Sequence, residues 1–339
     1  MIVPPLLDEL LRAHGAPGGE EDVHAIVRRE AASVGADITT DVLGGTIARV
    51  RGGSRTIALA AHTDQVAVGI MRIDEDGLLQ ISPLGVWKPS DAVGQPFAVK
   101  TRQGFVPAIG VRRGTGELTW EDVRLDVGVS TRAEAAELVS PGDAGVFVGG
   151  PVSLGGRRFT SPAIDNRAAV YAGLELLRRF AAAPAGWSVA LAATVQEESS
   201  RRTGSEGTLA SIEADVTIVL EGSYASDAPS GYPAWGESPL GGGPLVFRGP
   251  VVHPAVSGGL LAAAGAIGVT ASVETGTATL SDGDDLFVAG GGRAVALISI
   301  PVRYMHTAYE VADLGDVEAL VAVVEQFVRT LPVDASFLR

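Results

Sequence analysis

The chain has 339 residues, 46% of them hydrophobic, which indicates about two folded domains and excludes a disordered chain. Its net charge of −14 disfavours binding to nucleic acid or to an anionic membrane surface, because acidic side chains repel phosphate groups. The chain has no cysteine, so disulfides, thiol catalysis and cysteine-ligated zinc are excluded. Any bound metal ion must be held by His, Asp and Glu.

Targeting and membrane-spanning segments are not expected. Residues Met1 to His14 lack a basic start followed by a long apolar run, so they do not resemble a secretory signal. The most apolar stretch, 257–273, falls short of the ~20 residues that span a bilayer. We therefore expect a cytoplasmic protein.

The N-terminal region predicts two helices followed by strands. The run LLDELLRAHG places its leucines on one stripe and ends at Gly15. After the turn GAPGG, residues Val23, Ile26 and Val27 recur at helical spacing behind an acidic helix start, which suits the helix dipole. The runs ITTDV, GTIARV and TIALAAH then read as strands, and the last is continuously apolar, as in a buried parallel sheet.

The sequence pattern changes between residues 66 and 158. Short β-like runs alternate with DG, QG, PG and GG turns, and one helix is predicted from Thr131 to Leu138. We interpret residues 66–158 as a small β-rich domain inserted into an α/β domain formed by residues 1–65 and 159–339.

After Ser161 the pattern returns to alternating strands and helices, which indicates an α/β sheet. Strands are predicted at 188–195, 216–220 and 294–300, and helices at 166–179, 258–266 and 316–329.

Histidine or carboxylate side chains follow the predicted strands, at His62 and Asp64, Glu197 and Glu198, Glu221, and His306, and Asp165 precedes a helix. Ligands of open α/β sheets bind beyond the carboxyl ends of the strands, so we expect these five segments to meet. Their acids would repel one another and resist desolvation unless one or two divalent ions lay between them.

The donor types suit zinc, cobalt or manganese. Asp64 is spaced to accept the second N–H of His62 and so orient the imidazole. Of the neighbours Glu197 and Glu198, one can bind metal while the other acts as general base. A lone histidine such as His24 is expected at the surface or in a turn, and His253 likewise. Three aspartates read mainly as the start of a helix, namely Asp282, Asp284 and Asp285.

The pieces AHTDQV, SPAIDNR, VQEES, IVLEGS and ISIPVRYMHTAYEVADL, in this order, resemble the M42 metallo-aminopeptidases, a group of glutamyl aminopeptidases and tetrahedral (TET) peptidases. The resemblance covers nearly the whole chain. It implies a zinc-peptidase-like three-layer α/β sandwich that carries an inserted PDZ-like β-barrel domain. It also implies a homo-oligomer, from a dimer up to a dodecamer, in which the insert mediates dimer contacts.

The resemblance further implies which residues carry the chemistry. Glu197 would be the general acid and base, and Asp64 would support His62. Asp165 would bridge two divalent ions, and the metal ligands would be His62, Asp165, Glu198, Glu221 and His306. Peptides would be the substrates.

Three positions depart from the family pattern: Gln65 and Glu221 stand where Glu and Asp are usual, and Asn166 stands where a second Asp is common. The altered residues after Asp64, Asp165 and Glu198 motivate a non-catalytic, metal-stabilised binding or assembly protein as one alternative. A metal-dependent deacylase is another, since the same site could hydrolyse an acyl amide. A glycosidase with two carboxylates is a third, although only 5% of residues are aromatic and the histidines would stay unexplained.

Overall fold

The computed structural model describes residues 3–199, 204–229 and 236–338. Its centre is a mixed sheet of eight strands in the order β1-β2-β12-β3-β13-β16-β14-β15. The central strands β12, β3, β13 and β16 run parallel to one another. The strands of this sheet are β1 (Asp37–Thr40), β2 (Thr46–Val50), β3 (Thr56–His62), β12 (Ser188–Thr194), β13 (Val216–Tyr224), β14 (Leu245–Arg248), β15 (Ser272–Thr275) and β16 (Val295–Val302).

Helices cover both faces of this sheet because its central strands are apolar on both sides. In β3, Ile57 and Leu59 pack into the larger hydrophobic core, whereas Ala58 and Ala60 face the smaller core on the opposite side. The larger core is closed by α1 (Pro5–Arg12), α2 (Glu21–Ser33), α4 (Ile164–Ala182), α6 (Pro254–Ala266) and α8 (Leu314–Thr330). The smaller core is closed by α5 (Gly204–Ala210) and α7 (Asp282–Val288).

A closed barrel follows β3 in the chain, with strands in the order β4-β5-β8-β7-β6-β9. It has its own core, in which Phe97, Leu79 and Leu125 are fully buried. Closure leaves the barrel without a free strand edge. Its elements are β4 (Ala67–Ile73), β5 (Leu79–Leu84), β6 (Pro96–Thr101), β7 (Gly104–Arg112), β8 (Val123–Asp126), α3 (Arg132–Leu138) and β9 (Ala144–Phe147).

A third, three-stranded sheet was not predicted. It contains β10 (Val152–Ser153), β11 (Arg158–Ser161) and β17 (Glu310–Asp313). Strand β17 pairs antiparallel with β11, so the segment entering α4 lies beside the segment after β16. No helix in the described part of the chain is both long enough and apolar enough to cross a bilayer.

The three-layer α/β sandwich with a β-barrel confirms the predicted fold class. Two element bounds differ from the sequence prediction near the sheet's carboxyl edge. Strand β13 continues to Tyr224, so Glu221 lies inside the strand and does not follow its end. Helix α4 starts at Ile164, but Asp165 and Asn166 have non-helical backbone angles, so regular helix begins only after them.

Candidate metal centre

The five predicted segments meet at the carboxyl edge of the sheet. His62 ends β3, the two glutamates follow β12, and Asp165 lies at the irregular start of α4. His306 follows β16 with a left-handed backbone (φ 63°), a conformation that non-glycine residues adopt rarely. The six side chains His62, Asp165, Glu197, Glu198, Glu221 and His306 line one cavity of about 660 Å³.

Asp165 lies between the two imidazoles. Its Oδ1 is 3.3 Å from Nε2 of His62, and its Oδ2 is 3.3 Å from Nε2 of His306. Each imidazole nitrogen has a second carboxylate beside it: Glu221 Oε1 lies 3.2 Å from His62 Nε2, and Glu198 Oε1 lies 3.2 Å from His306 Nε2. The arrangement is therefore two sets of one nitrogen and two oxygens that share the Asp165 carboxylate.

These spacings fit divalent metal ions. Donor atoms bound at about 2.0–2.1 Å to one tetrahedral ion lie roughly 3.3–3.4 Å apart, close to the separations within each set. Ligand atoms of His62, Asp165 and Glu198, which span the two sets, lie within 4.8 Å of one another, so the sets are close neighbours. In the described chain, Asp165 Oδ1 and Glu221 Oε2 are buried without a hydrogen-bond partner, a cost that a bound cation would remove.

Asp64 lies behind His62. Its Oδ1 is 3.3 Å from Nδ1 of His62, on the side of the ring opposite Asp165. The same carboxylate accepts backbone N–H groups from Glu197 at 3.1 Å and from Glu198 at 2.8 Å. Asp64 thus links the imidazole to the loop that carries both glutamates.

Glu197 is buried at the cavity wall. Burial raises the pKa of this carboxyl well above its ordinary value, His62 opposes that shift, and the charges of Glu221 and Glu198 add to it. A carboxyl with a raised pKa can hold and release a proton near neutral pH, as a general acid and base requires.

The two histidines of the centre also have raised pKa values, which for an imidazole favours the charged form. The pKa of His62 is raised well above its ordinary value: burial opposes the charged ring, but Glu221, Asp165 and Asp64 together outweigh it. The pKa of His306 is raised in the same direction, with Glu198 and Asp165 overcoming burial. Such surroundings favour positive charge at both nitrogens, whether it comes from protons or from metal ions.

Two contacts of His306 were missed by the sequence analysis. Its Nδ1 lies 2.9 Å from the carbonyl oxygen of Val86, in the loop after β5, which fixes the ring. Glu310 is buried and accepts the backbone N–H groups of both Asp165 and His306, each at 2.9 Å. The only sequence signal for Glu310 was an acid four residues after His306.

Gln65 and Asn166, which depart from the family pattern, have structural contacts. The Gln65 amide oxygen accepts a hydrogen bond at 3.2 Å from the fully buried Arg167. The Asn166 amide donates to the carbonyl oxygen of Leu220 at 2.9 Å. An aspartate could not make that donation, so Asn166 ties the start of α4 to β13.

The remaining sequence candidates lie outside the cluster. His24 is buried, and not at the surface as expected, with its two nitrogens 2.9 Å and 3.0 Å from the hydroxyls of Thr46 and Thr63. His253, also buried, precedes α6 and contacts the Phe337 carbonyl. Asp282 does begin α7, but it is fully buried and accepts a hydrogen bond from Thr194 at 2.6 Å.

Comparisons with known proteins agree with this architecture. A lysyl aminopeptidase of Pyrococcus furiosus is 28% identical over 98% of this chain and 99% of its own. The structure of an aminopeptidase from Desulfurococcus kamchatkensis is 27% identical and superposes with a TM-score of 0.90 over 96% of this chain and 94% of that one.

The TET1 peptidase of Pyrococcus horikoshii shares the fold, with a TM-score of 0.86 and 23% identity over 96% of this chain and 99% of its own. The family model described as M42 glutamyl aminopeptidase matches residues 44–323. Because that match spans most of the sequence, the chain belongs to the M42 glutamyl aminopeptidase family.

Proposed function

We propose that this protein is a metal-dependent aminopeptidase that removes N-terminal residues from peptides at a site for two divalent ions. The observation that carries the proposal is the Asp165 carboxylate, which offers one oxygen to each of two imidazole-containing donor sets. One ion would be held by His62, Asp165 and Glu221, and the other by His306, Asp165 and Glu198. Zinc, cobalt and manganese all suit these nitrogen and oxygen donors.

When bound, the ions supply Lewis acidity, which polarises a carbonyl and lowers the pKa of water. The protein supplies proton transfer and orientation. The Glu197 carboxylate accepts a proton from the attacking water and then donates it to the nitrogen of the leaving peptide. Asp64 holds His62 in one orientation and, through two backbone N–H groups, fixes the glutamate loop beside it.

The size of the cavity favours a short segment of substrate. A volume of about 660 Å³ is within the range of small-ligand pockets, and the donor sets form part of its wall. Family membership supports peptide bonds as the substrate and weakens the glycosidase alternative.

Substitution of Glu197 by Gln tests the assignment. The variant keeps the size of the side chain but cannot accept a proton, so kcat on an aminoacyl chromogenic substrate should fall by roughly 10²–10⁴-fold. Metal content, measured by mass spectrometry of the dialysed protein, should stay at the wild-type value. Wild-type turnover in the variant would refute the role of Glu197, and a metal-loaded wild type without turnover would favour a non-catalytic binding or assembly protein.

We also propose a homo-oligomer with contacts through the barrel. The P. horikoshii TET1 peptidase is described as assembling into a tetrahedron or an octahedral shell. Met71 and Phe105 on the barrel strands are 59% and 57% exposed, a high exposure for large apolar side chains. Light scattering coupled to size-exclusion chromatography should give a mass above that of one chain.

A cytoplasmic location stays a prediction.

A further inference from the structure

Glu274, a residue that the metal centre does not use, lies in the wall of the same cavity. It is on the edge strand β15, where its neighbours Val273 and Thr275 are exposed while Glu274 is 7% exposed. Alternation along the strand therefore turns this one carboxylate inward.

The Glu274 carboxylate is only half satisfied. The Ser223 hydroxyl donates to its Oε1 at 2.7 Å. Its Oε2 is buried and has no hydrogen-bond partner within residues 3–199, 204–229 and 236–338. A buried carboxylate oxygen without a donor costs free energy, a cost that a cationic or N–H donor from a ligand would offset.

The charges lining the cavity favour a cation. The carboxylates of the metal centre line it together with Glu274, and its lining residues in the described chain include no lysine or arginine. Two bound divalent ions would offset the acids of the donor sets, but Glu274 is outside those sets. An acidic side chain placed beside Glu274 would meet a like charge without compensation.

Part of the remaining cavity wall is apolar, although Ser199, Thr279 and Ser299 also line it. Leu84, Leu297 and Met305 contribute hydrocarbon surface to it. Lysine and arginine side chains combine an alkyl stem, which packs on such a surface, with a cationic head that seeks a carboxylate. The carboxylate of Glu274 and the apolar surface of the cavity therefore both match a lysine or arginine side chain.

We propose that Glu274 makes this enzyme prefer peptides whose N-terminal residue is lysine or arginine. The inference rests on the proposed aminopeptidase function and adds its substrate class. It predicts that N-terminal glutamate is a poor substrate here, although the family model is described by glutamyl aminopeptidase activity.

The test compares lysine with norleucine at the N-terminus of otherwise identical chromogenic amides. Norleucine has the same four-carbon stem but lacks the ammonium group, so the ratio of kcat/KM values isolates the charge. We expect the metal-loaded wild type to favour lysine by at least tenfold, and Glu274→Gln to reduce that ratio at least tenfold. Glu213→Gln, at an exposed position outside the cavity, is the matched control and should keep the wild-type ratio.

Each alternative outcome is distinct. Equal or better turnover of norleucine by the wild type overturns the inference without any variant. An equal loss of both substrates in Glu274→Gln overturns it as well, since the carboxylate would then bind the α-amine that both share. A glutamate amide is assayed beside the other two: if metal-loaded wild type hydrolyses none of the lysine, norleucine and glutamate amides, the proposed function itself fails.

Discussion

Glu310 accepts a hydrogen bond from the backbone N–H of Asp165 at 2.9 Å. Its second oxygen accepts the backbone N–H of His306, also at 2.9 Å. One buried side chain therefore fixes the relative position of two segments that are 141 residues apart in the chain and that each supply a donor to the metal centre. The pairing of β11 with β17 brings those segments together, and Glu310 sets their final spacing.

Replacing Glu310 by Gln should weaken metal binding. An amide keeps one acceptor oxygen but places an N–H₂ group against the other backbone N–H, so the spacing of Asp165 and His306 relaxes. We expect a roughly 10–100-fold lower metal affinity, as is typical when groups that orient ligands are changed. Competition with a chromophoric chelator measures the metal affinity. Glu318→Gln, a substitution at a surface position, is the control. An unchanged affinity would remove Glu310 from the account.

Replacing Glu221 by Ala should affect one ion more than the other. Glu221 is 3.2 Å from His62 and belongs to only one of the two donor sets. The metal content of the dialysed variant should therefore fall from about two ions per chain towards one, as expected when one site loses a ligand. Retention of both ions with wild-type affinity would contradict the assignment of Glu221 as a ligand.

His14, which does not line the cavity of the metal centre, should make stability depend on pH. Burial, assisted by the charge of Lys100, lowers the pKa of this imidazole to about 4 from an ordinary 6.5. Between pH 4 and pH 6.5 the unfolded state binds a proton that the folded state does not. The contribution of His14 to the free energy of unfolding is therefore present above pH 6.5 and is lost as the pH falls towards 4.

Substitution of His14 by Leu removes that titration. Between pH 7.5 and pH 5 the free energy of unfolding of the wild type should decrease by about 2 kcal/mol more than that of the variant. Urea unfolding at both pH values measures this difference. The pKa of His24 is also lowered, but His24 is present in both proteins, so its effect cancels in the comparison. Parallel pH profiles would show that His14 is not the source.

Much of this architecture could be predicted because the controlling signals are local. The apolar run TIALAAH could only be a buried strand, and His62 at its end had to lie at the carboxyl edge of the sheet. The same reasoning located Glu197 and Glu198 after β12. Convergence of these groups followed from parallel strand order and needed no distance information.

The residues that were missed act through contacts that no local pattern encodes. Glu310 works by accepting backbone N–H groups, and any residue can supply those. Glu274 lies on a short edge strand whose pairing with β14 decides which face is inward. His24 was expected at the surface or in a turn, but it is buried, with its two nitrogens beside the hydroxyls of Thr46 and Thr63.

The most direct test is a metal titration of chelator-stripped protein, followed by turnover of an aminoacyl amide. The account predicts no turnover in the stripped protein and full activity at two equivalents of zinc, cobalt or manganese per chain. Full turnover by protein that retains less than about a tenth of an equivalent of metal would contradict the account. The two donor sets that share Asp165 would then catalyse hydrolysis without a cation.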